Sequence, residues 1–149
     1  MKLPAGATGF DPPSDAHTNL GRFTAVCRQA ARDIAATVTD VTPAGVTPNF
    51  HTIDIRHAEQ HVSVLGHSVL PFIAFARPRA GDDIRITFVD HHDLAAAIVN
   101  LTEAQVLTAE QLRTPLAHID LTSLGRHEHD QIGYWKPNTL GDLLFNFWD

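Results

Sequence analysis

A chain of 149 residues with 44% apolar and 19% charged side chains is long enough to bury one substantial core and too apolar to be disordered. Its formal charge of −6 argues against the basic footprint that a general nucleic-acid binder needs to displace counterions. The single cysteine, Cys27, excludes an intrachain disulfide and a cysteine-cluster zinc site. With a start, Met1-Lys2-Leu3-Pro4, that lacks an apolar run, it makes the reducing cytosol the expected compartment.

Residues 1–18 carry Pro4, Gly6, Gly9, Pro12 and Pro13 with little apolar periodicity. They read as a loosely ordered leader, with Leu3 and Phe10 available to dock it, ahead of a single domain over 19–149. From Leu20 the apolar residues Phe23, Cys27, Ala30, Ala31, Ile34 and Val38 recur at three- and four-residue steps, predicting a helix over 20–38 capped by Asn19. Cys27 lies on the apolar stripe and reads as a small core residue rather than a nucleophile. Thr42-Pro43-Ala44-Gly45 closes the helical regime.

From Phe50 the period changes to two. Ile53 and Ile55 alternate with Thr52, Asp54 and Arg56, and Val62 and Val64 repeat the pattern after a polar break. A hairpin turning at Ala58-Glu59 sets Ile55 opposite Val62 and Ile53 opposite Val64, gathering the apolar residues on one face. Val69 to Ala76 reads as a central strand with Pro71 near its start; it is far too short to cross a bilayer, so no membrane partner is expected. After the turn Arg79-Ala80-Gly81-Asp82-Asp83, Ile84 to Val89 reads as a fourth strand.

Asp90 is placed to cap a helix reaching Val99, with Leu94, Ala97, Ile98 and Leu101 on its buried face. Val106-Leu107 reads as a short extended piece, and Thr108 with Gln111 as a capping box. A longer helix is expected after Asp120: Leu121, Leu124, Glu128, Ile132 and Trp135 share a face broken only by Glu128, and Pro137 stops it. Thr139 with Asp142 caps a final short helix in an aromatic tail. The expected fold is α+β: an N-terminal helix, a four-stranded, mainly antiparallel sheet, and C-terminal helices packed on it, with helices covering one face.

Ten histidines supply the candidates for chemistry, because imidazole is both a metal ligand and a base near neutral pH. Asp90-His91-His92-Asp93 stands at a strand-to-helix junction, beside free helix amides that favour neutral imidazole. The competing reading has Asp90 capping the helix while both histidines face solvent. His127-Glu128-His129-Asp130 spaces its histidines two apart, which puts them on different sides of a helix. Asp90, His91, His92 and His129 are therefore the candidate ligands for a divalent metal, and no other cofactor is expected. On the sheet, Asp54, Arg56, His61 and Ser63 gather on the face away from Ile53 and Ile55. They form a binding patch if that face is open and a satisfied polar network if it is covered. Tyr134 and Lys136, flanking the expected core anchor Trp135, make a further aromatic and cationic contact surface.

No serine elbow and no phosphate loop occurs; Gly66 in Leu65-Gly66-His67-Ser68 reads as a bend. Two functional classes remain. One is a small acidic binding protein of inhibitor or immunity type, docking a basic protein partner or pairing as a homodimer. The other is a small metal-dependent hydrolase built on the His/Asp residues.

Overall fold

The computed structural model describes residues 1–13 and 17–149. Its first helix, Leu20–Asp33 (α1), starts as expected: Arg22 N–H donates to Asn19 Oδ1 at 3.0 Å. The predicted continuation to Val38 does not form. Ala35 takes a φ of 58°, and Thr37–Thr42 (β1) then runs as an edge strand against Phe50–His57 (β2). The β-branched run Thr37, Val38, Thr39, Val41 and Thr42 prefers extended backbone. Ile34 and Val38 still pack against the same core, which is why helical spacing looked continuous across the break.

β2 and Gln60–His67 (β3) form the predicted hairpin in the predicted register, Ile53↔Val64, Asp54↔Ser63, Ile55↔Val62 and Arg56↔His61. Phe72–Ala76 (β4) is buried throughout; one edge pairs with β3, and the other is shared by Phe88–Val89 (β5, antiparallel) and Gln105–Val106 (β6, parallel). Among the described residues the sheet thus has six strands rather than four. The expected strand from Ile84 shrinks to its last two residues, and Ile84 stands 64% exposed. Asp83 Oδ1 takes the Arg85 N–H at 2.9 Å, a side-chain turn that diverts this backbone from a ladder.

Both faces are covered, not one. Ile53, Ile55, Val62, Val64, Ile73 and Phe75 pack under α1 and the helix His92–Val99 (α2), through Phe23, Cys27, Ala30, Leu94, Ala97 and Ile98. Burial among these side chains pushes the Cys27 thiol up to about 12, which suits packing and not nucleophilic work. The opposite face offers Phe50, Leu65, Phe72, Ala74 and Ala76 to a second cover. That cover combines Leu3 and Ala7 of the leader with Ala109–Leu112 (α3), Arg126–Trp135 (α4) and Leu140–Leu144 (α5). The Thr108/Gln111 and Thr139/Asp142 capping boxes both form. α4 starts later than expected because Asp120 Oδ1 accepts both Thr122 N–H, at 2.9 Å, and its hydroxyl, at 2.6 Å, turning the chain first.

The described part of the leader is pinned, not loose. Glu128, the one polar break in the apolar face of α4, is fully buried and its carboxylate accepts from Gly6 N–H at 2.8 Å, Thr8 N–H at 2.9 Å and the Thr8 hydroxyl at 2.5 Å. Leu3 N–H donates to Asp120 O at 3.0 Å, and Leu3 and Ala7 fill the core beneath. Among the described residues no helix is long and apolar enough to cross a membrane.

Candidate functional site

α4 rests on the core through Glu128, and its last turn is left in solvent. Lys136 takes a left-handed φ of 52° and Pro137 forbids continuation, so the helix stops with Tyr134 76% and Trp135 38% exposed. Trp135 is therefore not the core anchor its spacing implied. The chain returns through α5 and lays Trp148 parallel to Trp135, with ring centroids 6.2 Å apart and planes at 1°. Tyr134 meets Trp135 edge-on at 5.1 Å, and Trp135 Nε1–H donates to Gln131 Oε1 at 3.0 Å, which fixes the indole. A groove of about 590 Å³ opens between this aromatic cluster and the 84–88 segment, lined by Ile84, Arg85, Lys136, Phe147 and Trp148. Beside Phe147, the Arg79 guanidinium lies 4.9 Å from its ring and 5.4 Å from that of Phe50.

Lys136 lines this groove with Trp135, whereas Tyr134 packs on the edge of Trp135 outside the lining. Trp148, Phe147, Ile84 and Arg85 join Lys136 there, and sequence reasoning missed that they meet. The signal that could have found them was the aromatic tail Phe145-Asn146-Phe147-Trp148, which carries more large rings than a five-residue helix can bury.

The sheet patch divides. Ser63 is buried and its hydroxyl donates to Asp54 Oδ1 at 2.5 Å, a satisfied pair on the face that carries Phe50 and Leu65; Arg56 and His61, opposite each other at the hairpin end, remain exposed. At the junction, Asp90 does not cap α2. Its Oδ1 accepts Ala109 N–H at 2.9 Å and so holds the start of α3, while His91 caps α2 by accepting Leu94 N–H on Nδ1 at 3.2 Å. His91 Nε2 faces His57 Nδ1 at 3.3 Å. His92 and His129 are both exposed, and among the described residues no three His, Cys, Asp or Glu side chains come together to hold a metal ion. His57 ends β2, and its alternation with Ile53 and Ile55 is the sequence signal that it shares their face.

The buried histidines serve the fold. His67 Nδ1 accepts Val69 and Leu70 N–H at 3.1 and 3.0 Å while Nε2 reaches Ala7 O at 2.8 Å. Burial pushes its pKa down to about 4. His51 Nδ1 accepts Ala44 N–H at 2.8 Å, and burial lowers that ring as well. Asn49 and Asn146 complete a polar network with Thr8 O, at 3.2 and 3.1 Å respectively. A second cavity of about 410 Å³ lies by the start of α1, lined by Arg22, Phe23, Leu70, Phe72, Ile73 and Glu103. Two of the polar groups at its edge are already engaged, the Thr18 hydroxyl with His67 O at 2.6 Å and Asn19 with the helix cap.

No family model matches the chain, and no curated protein or solved structure matches it significantly.

Proposed function

We propose that this chain is a non-catalytic binding protein of inhibitor or immunity type, acting in the cytosol, and that its groove receives arginine or lysine side chains of a basic protein partner. The observation that carries this reading is the exposed Trp135 held parallel to the half-buried Trp148 in the wall of the groove, indole rings whose faces attract cations and which brace each other before any partner arrives. The net charge of −6 steers a basic molecule toward the surface. The rim cations do not reverse this: Arg85 is paired with Asp83 at 3.4 Å, and Lys136 shares the groove with Asp142. A hydrolase built on His91 has less support, because both ring nitrogens of His91 already have protein partners.

Tryptophan fluorescence tests the reading with an arginine homopeptide and glutamate and serine homopeptides of the same length. The arginine peptide is expected to shift the emission saturably, and Trp135→Ala to weaken that response about tenfold with unchanged circular dichroism. An equal response to the glutamate peptide, or none to the arginine peptide, overturns it; self-association on the same face, with no response to the arginine peptide, assigns the groove to a second copy instead.

A further inference from the structure

We propose that the His57–His91 contact is an acid-sensitive latch, which holds the first turn of α2 against β2 and releases it when either ring takes up a proton. The case rests on where the hydrogens must lie. His91 Nδ1 accepts the Leu94 N–H at 3.2 Å, so in the neutral ring the hydrogen sits on Nε2. That Nε2 faces His57 Nδ1 at 3.3 Å and can only donate, so His57 accepts on Nδ1 and carries its own hydrogen on Nε2. The links run one way, from Leu94 N–H through His91 to His57, and every acceptor nitrogen already faces an N–H.

Such a chain has no free place for another proton. Added to His91, it must go to Nδ1 and meets the Leu94 N–H. Added to His57, it must go to Nδ1 and meets the His91 Nε2–H. Either event breaks a link, and both together set two cations at ring centroids 5.2 Å apart. The charges acting on His91 are His57 from β2 and His92 and Asp93 from α2 itself; β4 contributes the uncharged Phe75 ring at 6.4 Å. His92 adds to the repulsion, and Asp93 offsets part of it.

Release has a defined consequence because Asp90, the other candidate cap, is committed to α3 through Ala109 N–H. Leu94, one turn into α2, is fully buried in the core under α1 and α2, so loosening the turn opens that core at its rim. Burial already lowers His91 from its ordinary 6.5, so the latch stays shut at neutral pH and opens on acidification. His67 resists protonation until about pH 4, so the second cover stays intact while the latch opens.

Amide exchange measured by NMR between about pH 7 and about pH 5 tests this. Protection of the Leu94 and Ala95 amides is expected to fall about tenfold further than that of the α1 amides, which follow global stability alone. His91→Asn, which caps without titrating, is expected to give a flat profile. His57→Gln is expected to keep the cap and move the transition to higher pH. Unchanged Leu94 protection, a His91→Asn profile like that of the parent, or equal loss throughout α1 overturns the latch. So does stoichiometric binding of zinc chloride at neutral pH that shifts both rings and abolishes the cap, which makes the pair a cation site.

Discussion

The two covers of the sheet are made of different materials. Under α1 and α2 the interior is almost wholly apolar, with small residues such as Cys27, Ala30, Ala31 and Ala97 between the larger ones. Under the leader and the C-terminal helices, a comparable apolar layer surrounds buried Glu128, Thr8, Asn49, His67 and Asn146. An apolar face accepts any packing of about the right volume, whereas a polar network is satisfied only by one arrangement of its partners. The second cover joins segments far apart in the chain, 138 residues in the case of Asn146 Nδ2 and Thr8 O, so there the hydrogen bonds define which segment goes where.

Breaking the polar side is expected to cost most. Glu128→Gln turns an amide N–H₂ toward donors that need an acceptor, and should lower unfolding free energy by about 3 kcal/mol in urea titration while exposing residues 1–13 to proteolysis. Acid strikes the same network next. His67 has a folded value near 4, below the ordinary 6.5, so the unfolded chain binds the proton more readily. The stability it supports is complete above pH 6.5 and is lost as pH falls toward 4, about 3 kcal/mol over that window, measurable as a pH-dependent urea midpoint.

Smaller perturbations sharpen the contrast. A Cβ at Gly66 would come within 2.7 Å of the Phe23 ring, and one at Gly141 would collide with Phe88 while lying 3.1 Å from Leu112 O. Each alanine substitution should cost about 1–3 kcal/mol. The Gly141→Ala cost should be the larger, because Phe23 borders an open cavity into which it can swing and the Leu112 backbone cannot yield; thermal unfolding of the pair decides it. Smallest of all, Trp135→Ala should change the stability of the free protein by less than about 1 kcal/mol, since the ring lies outside the core. Equilibrium unfolding of the unliganded variant checks this.

The sequence revealed what local periodicity governs. The hairpin register followed from alternation alone, since a shift of one residue would have pointed Ile53 and Ile55 away from Val62 and Val64. The end of α1 did not, because Ile34 and Val38 continue a helical spacing while Ala35 breaks the backbone between them. The leader could not be read either: its attachment is a carboxylate 120 residues away from Thr8, visible beforehand only as an unexplained charge on an apolar stripe. For the groove, Lys136 was legible as part of a contact surface, whereas its expected companion Tyr134 lies outside the lining. Trp135 was not legible, because helical spacing shows which face a residue shares and not whether the core extends that far. The junction histidines misled for a related reason: which of Asp90 and His91 caps α2 depends on α3, whose amide claims Asp90.

The Glu128 attachment also bears on the order in which the chain is made. By the time Val106 leaves the ribosome, every strand and both helices of the apolar cover exist, so that half can close early. Leu3, Phe50 and Leu65 must meanwhile wait uncovered for Glu128 and Asn146, which are synthesised after them. The nascent protein therefore passes through a half-clad stage in which one sheet surface is sticky, and that interval is where chaperones would be most needed.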